Sequence, residues 1–148
     1  MFSFVLPVVN EGERLAAHLS ALRQRFPEAQ IIVVDGGSGD SSPAIALQKA
    51  DVVLLGERGR ALQMNLGAAV ASHDWLCFLH ADTWPDFSGA QLRSALLESI
   101  EARGGRAWGF CEVELQGRSK LLPLIGWCIN RRSRLTLVAT GDQMLFIK

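Results

Sequence analysis

Blocks of hydrophobic and polar residues alternate along the chain, and each block has the length of one strand or one helix. Short apolar runs, rich in β-branched, leucine and aromatic residues, predict buried strands at 3–9, 31–34, 52–55 and 75–79. After the first run, apolar residues recur at helical spacing from Leu15 to Phe26, and Pro27 ends the amphipathic helix that they predict. The run from Trp75 stops abruptly in polar residues, and we expect the chain to be organised around it.

The same alternation continues downstream. Ser42 before Pro43 suits the N-cap of a short helix that ends near Ala50. Further helices are predicted at 61–71, 88–103 and 119–132, and further strands at 108–115 and 144–147. Because strands and helices alternate with short links, the sequence predicts an α/β fold with a mostly parallel sheet and helices on both faces. We expect one domain over residues 1–148.

The composition of the chain indicates a globular protein and argues against nucleic acid as a partner. Of the 148 residues 49% are hydrophobic and 20% are charged, which is typical of a globular protein. Fifteen basic residues balance fifteen acidic ones, so no general electrostatic attraction to nucleic acid is expected. Three cysteines lie far apart without zinc spacing: Cys77, Cys111 and Cys128. They predict buried, reduced thiols, and with no signal-peptide pattern at the N-terminus we expect a cytoplasmic protein.

One late apolar run permits two interpretations. Residues 121–129 are too few to span a bilayer. Basic residues flank the run on both sides, at Arg118 and Lys120 before it and at 131–134 after it. A helix of this kind can lie on a membrane surface as a peripheral contact. A helix packed in the protein core is the other interpretation, and the sequence favours it.

Polar clusters directly follow three of the predicted strands, at 10–11, 35–40 and 80–82. Ligands of open parallel α/β sheets bind outside the carboxyl ends of the strands, so the three clusters are expected to share one crevice. The glycine-rich turn after Asp35 lets a ligand approach closely, although an ordinary turn has the same pattern. Arg60, at the start of a helix, suits phosphate oxygens or plain solvent exposure.

His80 and Asp82 are candidate metal ligands. They are two positions apart, so on a regular strand both side chains point to the same side. An imidazole and a carboxylate can together hold a divalent cation. A histidine at the end of a strand also occurs as a purely structural residue.

These segments, in this order, resemble the family 2 glycosyltransferases of the GT-A fold. Four segments carry the resemblance: Pro7-Val8-Val9-Asn10-Glu11, Asp35-Gly36-Gly37-Ser38-Gly39-Asp40, Gly59-Arg60-Ala61-Leu62-Gln63-Met64-Asn65 and Leu79-His80-Ala81-Asp82-Thr83. The third and fourth segments and a late Gly141-Asp142-Gln143 are similar to a bacterial subgroup of mostly soluble members. The resemblance covers nearly the whole chain.

The resemblance implies a role for each matched residue. Pro7, Val9, Asn10, Glu11, Asp35 and Gly37 would hold the base and ribose of a nucleotide-sugar donor. Arg60 and Asn65 would face its phosphates or brace the donor pocket, with Ala81 lining the same pocket. Asp82, with His80, would bind Mn²⁺ or Mg²⁺ at the diphosphate. Family frequency favours a UDP-sugar as donor, an inverting reaction is implied, and the acceptor stays unknown.

The chain departs from the family pattern in three ways. His80 replaces the first Asp of the metal-binding Asp-x-Asp, and Gly36 replaces an Asp of the base-binding turn. The family's catalytic Glu-Asp segment follows the Gly-Asp-Gln strand, so the chain is expected to be incomplete at its C-terminus and no residue is assigned as the base. An open sheet edge after Ile147 would favour a homo-oligomer that completes the sheet.

Two other classes of function stay open. A nucleotidyltransferase has a similar topology, but such enzymes open with a glycine-rich loop and a basic signature that residues 7–13 lack. A non-catalytic nucleotide-binding or scaffold module is the second alternative, and a failure to bind nucleotide would select it.

Overall fold

The computed structural model describes residues 1–102, 108–139 and 143–148. Strands and helices follow one another in chain order: β1 (Phe2–Val8), α1 (Gly12–Arg25), β2 (Gln30–Asp35), α2 (Ser42–Lys49), β3 (Val52–Leu55), α3 (Arg60–Ala69), β4 (Trp75–Phe78), α4 (Gly89–Ala102), β5 (Trp108–Phe110), α5 (Leu122–Thr136) and β6 (Leu145–Ile147). Each predicted element is present, most with ends within a few residues of those predicted.

One six-stranded sheet contains all the strands, in the order β3-β2-β1-β4-β6-β5. The first four of these are parallel, with Val5 of β1 beside Ile32 of β2 on one side and Phe78 of β4 on the other. Strand β6 runs antiparallel to both β4 and β5. The prediction of an α/β fold with a mostly parallel sheet is confirmed.

Helices cover the two faces of the sheet unequally. Helices α1, α2 and α4 pack on one face, where Phe4 and Leu6 of β1 meet Leu15 and Leu19 of α1 in the main core. On the other face α3 contacts β1 and β2 over a smaller cluster: Val5, Ile32 and Val34. A Cβ on Gly67 of α3 would lie 2.4 Å from Cγ1 of Val5, so glycine permits this close approach.

Strand β1, not β4, is the strand that is buried on both faces. All seven residues of β1 are buried, whereas three of the four residues of β4 are only half-buried: Trp75, Leu76 and Phe78. The reason is that α3 covers β1 and β2 but contributes no comparable cover to the β4-β6-β5 part of its face. Trp108 and Ile147 are 44% exposed on that part of the sheet. The expectation that the Trp75 run forms the fully buried centre was therefore wrong.

Strand β5 is shorter than predicted because a side chain replaces its continuation. The amide of Asn130 on α5 accepts a hydrogen bond from N–H of Val113 and donates one to its carbonyl oxygen, both at 2.9 Å. These two bonds satisfy the backbone of Val113 as a neighbouring strand would. The chain therefore leaves the sheet after Phe110 without leaving those backbone groups unpaired.

Two further expectations are corrected. The strand that ends at Ile147 lies inside the sheet between β4 and β5, so it provides no open edge for self-association, and the edges are β3 and β5. All three cysteines are free, but Cys128 is exposed and only Cys77 is fully buried. Burial raises the pKa of the Cys111 thiol to about 11 and raises that of Cys77 further. No helix within the described ranges is long and apolar enough to cross a membrane.

Candidate functional site

The loops that follow β1 and β2 are joined by hydrogen bonds at the carboxyl edge of the sheet. Asn10 has a left-handed backbone (φ 55°), which an asparagine tolerates better than most residues. Its N–H donates to the hydroxyl of Ser38 at 2.9 Å, and its side-chain oxygen accepts from N–H of Gly39 at 2.8 Å. The predicted convergence of these two clusters is therefore observed.

A second set of bonds ties the start of α1 to the start of α2. Asp40 accepts from N–H of Gly12 and from N–H of Ser42, both at 2.9 Å. Bonds from the Ser42 side chain and backbone, and then from Gly12, hold the pKa of Asp40 below its usual value. Ser42 is the first helical residue and not the N-cap that we predicted, because its hydroxyl instead accepts from N–H of Glu11 at 2.9 Å.

Asp35 ends β2 and has one oxygen bound and one oxygen free. The carboxylate is 4% exposed. Its Oδ2 accepts from N–H of Gly37 at 3.0 Å and from N–H of Ser38 at 2.9 Å. Gly37 has a φ of 87°, which glycine adopts without strain. Oδ1 is buried and has no hydrogen-bond partner among the described residues, which is costly unless a ligand donates to it.

Pro7 and Val9 line the same edge from β1. Pro7 is buried within β1 and paired with Val34 of β2. Val9 is half-buried just beyond the strand. A Cβ on Gly36 would lie 2.8 Å from Cγ2 of Val9 and 3.0 Å from Nε2 of Gln63, so a larger residue would push these side chains apart. Gly36 therefore keeps the turn compact where the family more often has Asp.

Gln63 is a structural member of the site to which the sequence analysis assigned no role. It is 2% exposed, and its Nε2 donates to the carbonyl oxygens of Val8 at 3.1 Å and Val34 at 2.7 Å. The bonds join the ends of β1 and β2 to α3. Its position four residues before Gly67, on the face that meets the sheet, was the available signal.

Helix α3 does not bring Arg60 and Asn65 together. Arg60 is the first helical residue and is exposed, beside the left-handed Gly59 (φ 155°). Asn65 is five residues further, about 140° around the helix, and is exposed on the side away from Gln63 and Gly67. Arg60 starts a helix as predicted, whereas the position of Asn65 does not favour a contact with the same ligand.

His80, Ala81 and Asp82 lie in a turn and not on a strand. Strand β4 ends at Phe78, and N–H of Thr83 donates to the carbonyl oxygen of His80 at 3.1 Å. The alternation that predicted a common orientation therefore does not extend to this pair. His80 and Ala81 are buried, while Asp82 is exposed. The described part of the chain contains no group of three or more His, Cys, Asp or Glu residues that could hold a metal by themselves.

His18 on α1 lies under this turn and was missed from the sequence. It is 1% exposed, and its ring meets Trp84 edge to face with centroids 5.0 Å apart. Neither ring nitrogen has a hydrogen-bond partner among the described residues. Burial lowers the pKa of His18 to about 4, partly opposed by the charge of Asp82. A histidine at an apolar helix position gave no sign of this proximity in the sequence.

The late Gly-Asp-Gln segment is only partly described. Gly141 and Asp142 lie outside the described residues. Gln143 is buried just before β6, and its Oε1 accepts from the hydroxyl of Ser133 on α5 at 2.9 Å. Because β6 pairs with β4, this bond connects α5 to the same half of the sheet as the turn at 80–83.

The arrangement defines an α/β protein whose loops at the carboxyl edge of a mainly parallel sheet surround a buried carboxylate, a site suited to a nucleotide. The model of glycosyl transferase family 2 matches residues 3–101. The chain therefore belongs to glycosyl transferase family 2.

Named relatives agree with this assignment. The amylovoran biosynthesis glycosyltransferase AmsB of Erwinia amylovora is 30% identical over 121 residues, which are 71% of this chain and 38% of AmsB. The mannosyltransferase PcManGT of Pyrobaculum calidifontis, solved with GDP-Man and Mn²⁺, has a TM-score of 0.69 at 20% identity over 99% of this chain and 44% of that one. The glucosyl-3-phosphoglycerate synthase of Mycobacterium tuberculosis, solved with UDP and Mn²⁺, has a TM-score of 0.65 at 18% identity over 99% and 56%. These likenesses confirm the GT-A fold.

Proposed function

We propose that this chain forms the donor-binding part of a transferase that moves a sugar from a nucleoside-diphosphate sugar, with UDP as the first candidate, to a hydroxyl acceptor. The chain spans 38% of the length of AmsB, so the activity proposed is that of a complete family member. Solved neighbours bound to UDP or to GDP-Man support a nucleotide donor.

The buried Oδ1 of Asp35 is the observation that carries the proposal. Two backbone N–H groups bond to Oδ2 and so fix the orientation of the carboxylate. Oδ1 therefore has a fixed position, and no group among the described residues donates a hydrogen bond to it. An N–H of a base or a hydroxyl of a ribose would supply that donor. Asn10, on the loop bonded to the Asp35 turn, borders an open polar pocket of about 360 Å³, although Asp35 itself does not line that pocket.

Asp82 suits a metal that the donor itself helps to bind. Mg²⁺ and similar ions bind through one or two carboxylates together with substrate phosphates, so a single exposed carboxylate is sufficient on the protein side. A bound Mn²⁺ or Mg²⁺ would stabilise the charge on the departing diphosphate. Arg60, at the N-terminus of α3, is positioned to pair with phosphate oxygens without a metal.

Transfer with inversion is the proposed reaction. The acceptor oxygen bonds to the anomeric carbon while the bond from that carbon to the diphosphate oxygen breaks. The hydroxyl proton passes to a general base, and the nucleoside diphosphate leaves with the bonding electrons. The donor edge described above contributes binding and orientation to this step.

Calorimetric titration of UDP and of GDP, each with Mn²⁺ and with EDTA, tests the donor site. We expect Asp35→Asn to weaken nucleotide binding roughly 10- to 100-fold in both conditions, because a hydrogen bond to a charged group is lost. Asp82→Asn should abolish only the gain in affinity that Mn²⁺ gives. Asp74→Asn, an exposed carboxylate at the opposite end of β4, is the matched control and should bind as the unaltered chain does.

Two results would contradict the proposal. The first is a folded protein that binds neither nucleotide in either condition. The second is equal affinity in the unaltered chain and Asp35→Asn, since Oδ1 would then contact no part of the ligand.

A further inference from the structure

Helix α5 exposes large apolar side chains along its outer face. Leu121, just before the helix, and Leu124, Trp127 and Leu135 within it are between 58% and 73% exposed. Single exposed apolar residues are common, but a group of this size on one helix marks a contact surface. We call these four residues the apolar stripe of α5.

Polar contacts fix the orientation of that stripe. Asn130 bonds to the backbone of Val113, and the buried Ser133 bonds to Gln143. Gly126 is buried against the segment at 113–115. With 3.6 residues per turn, these inward positions place Leu124 and Leu135 on the opposite side of α5. The stripe therefore faces away from the protein because the inner face is specifically bound.

Positive charge surrounds the stripe. The chain as a whole has a net charge of zero, but residues 115–139 contain no acidic residue. They contain five basic residues: Arg118, Lys120, Arg131, Arg132 and Arg134. Of these five, only Arg134 forms an ion pair within the described residues, with Glu112. The other four basic side chains are exposed and available to an anionic partner.

We propose that α5 lies on the surface of an anionic lipid bilayer, with the apolar stripe at the boundary between headgroups and acyl chains. Trp127 is the residue type enriched at that boundary, and long basic side chains can reach the lipid phosphates beside it. The positive charge around the stripe argues against a second copy of the chain as the partner that covers it. A two-fold dimer through this face would bring two clusters of basic residues together with no acidic residue in either segment.

This proposal does not depend on the transferase activity. Its geometry follows from α5 and the contacts that orient it, and a chain that binds no nucleotide could still bind lipid. Flotation with vesicles of phosphatidylcholine, with and without phosphatidylglycerol, measures it. We expect binding only to the vesicles that contain phosphatidylglycerol, and weaker binding at high salt because the charges are exposed.

Separate variants of the apolar stripe and of the basic residues around it distinguish the hydrophobic from the electrostatic contribution to vesicle binding. Leu124→Ser and Trp127→Ser together should lower the partition coefficient at least about tenfold. Arg131→Gln and Arg132→Gln should each lower it roughly fivefold on anionic vesicles. Matched controls lie on α2, where Leu47 is 72% exposed and Lys49 is also exposed. Leu47→Ser and Lys49→Gln should leave binding unchanged.

A fluorescent label on Cys128 would report directly whether α5 inserts into the bilayer. Cys128 is exposed near the stripe, whereas Cys77 is buried and Cys111 is half-buried, so a thiol-reactive fluorophore should label Cys128 first. Emission of an environment-sensitive label should shift to the blue when anionic vesicles are added. The same label on Leu47→Cys in a Cys128→Ser background should not shift.

Three outcomes would overturn the proposal. One is no flotation with anionic vesicles by a protein that circular dichroism shows to be folded. Another is equal loss of binding in the α2 controls and the α5 variants. The third is a dimer, seen by light scattering without vesicles, that Leu124→Ser and Trp127→Ser dissociate, since a second copy would then occupy the face.

Discussion

Residues 1–102 and residues 108–148 use hydrogen bonds and apolar side chains in opposite ways. In the first region, loops distant in sequence are joined by buried or partly buried bonds, such as those of Asp40 and Gln63, over a core that contains all of β1. In the second region, a few side chains hold α5 in place and most large apolar side chains of that helix are exposed. The contrast shows that tightly hydrogen-bonded loops and a helix with an exposed apolar face can lie beside one sheet.

The largest predicted difference between the regions concerns truncation of an apolar side chain. Phe4 is fully buried, with its ring centroid 4.7 Å from that of Phe26. Phe4→Ala should lower the free energy of unfolding by about 3–5 kcal/mol, because it removes buried area and leaves a cavity. Leu124→Ala on α5 should change it by less than about 0.5 kcal/mol. Urea unfolding of both variants measures this, and similar losses would refute the contrast.

The second prediction concerns acid and is specific to the first region. The pKa of His18 is lowered from 6.5 to about 4 in the folded chain. The unfolded state therefore takes up the proton first, so stability from this group is complete above about pH 6.5 and is lost as the pH falls to about 4. The full loss is about 3 kcal/mol.

Urea unfolding in EDTA at several pH values isolates the His18 contribution. His18→Phe keeps an edge-to-face ring contact with Trp84 but cannot titrate, so it should lose less stability than the unaltered chain between pH 6.5 and 4. His73→Gln, outside this pocket, should retain the full dependence. Parallel pH profiles for His18→Phe and the unaltered chain would show that the imidazole is not the titrating group.

The smallest effects are expected at two helical glycines, and they should have opposite signs. A Cβ on Gly67 would lie 2.4 Å from Val5, so Gly67→Ala should destabilise by about 1–3 kcal/mol. A Cβ on Gly126 of α5 would meet nothing closer than 3.5 Å, so Gly126→Ala should stabilise by roughly 0.5–1 kcal/mol. Thermal unfolding of the two variants provides the measurement. Effects of the same sign would mean that α3 and α5 pack equally closely.

Periodicity and strand propensity were sufficient to predict the elements, the parallel arrangement and the meeting of the Asn10 and Asp35 loops. These features depend on local sequence and on the rule that parallel strands end at one edge. The roles implied by the resemblance stay predictions for all the residues concerned: Pro7, Val9, Asn10, Glu11, Asp35, Gly37, Arg60, Asn65, His80, Ala81 and Asp82. The titration tests those of Asp35 and Asp82.

The missed features all depend on contacts between distant segments. Gln63 is buried because the carbonyl oxygens of Val8 and Val34 are 55 and 29 residues away in sequence but adjacent in space. The exposed half of β4 follows from where α3 lies, and the short β5 follows from the amide of Asn130. The interior position of β6 required the pairing of a last strand between two earlier ones. A single sequence pattern contains none of these pairings.

The two oxygens of Asp35 differ in what they can still accept, because Oδ2 is already hydrogen-bonded and Oδ1 is not. A carboxylate oxygen only accepts, and neighbouring N–H groups prevent the side chain from turning. A pyrimidine that presents a ring N–H, as uracil does, can donate the missing hydrogen bond to Oδ1. Cytosine presents a bare ring nitrogen at the same position and would set one lone pair against another. If the base of the proposed donor reaches Oδ1, this turn would discriminate between two bases of nearly equal size by the polarity of one atom.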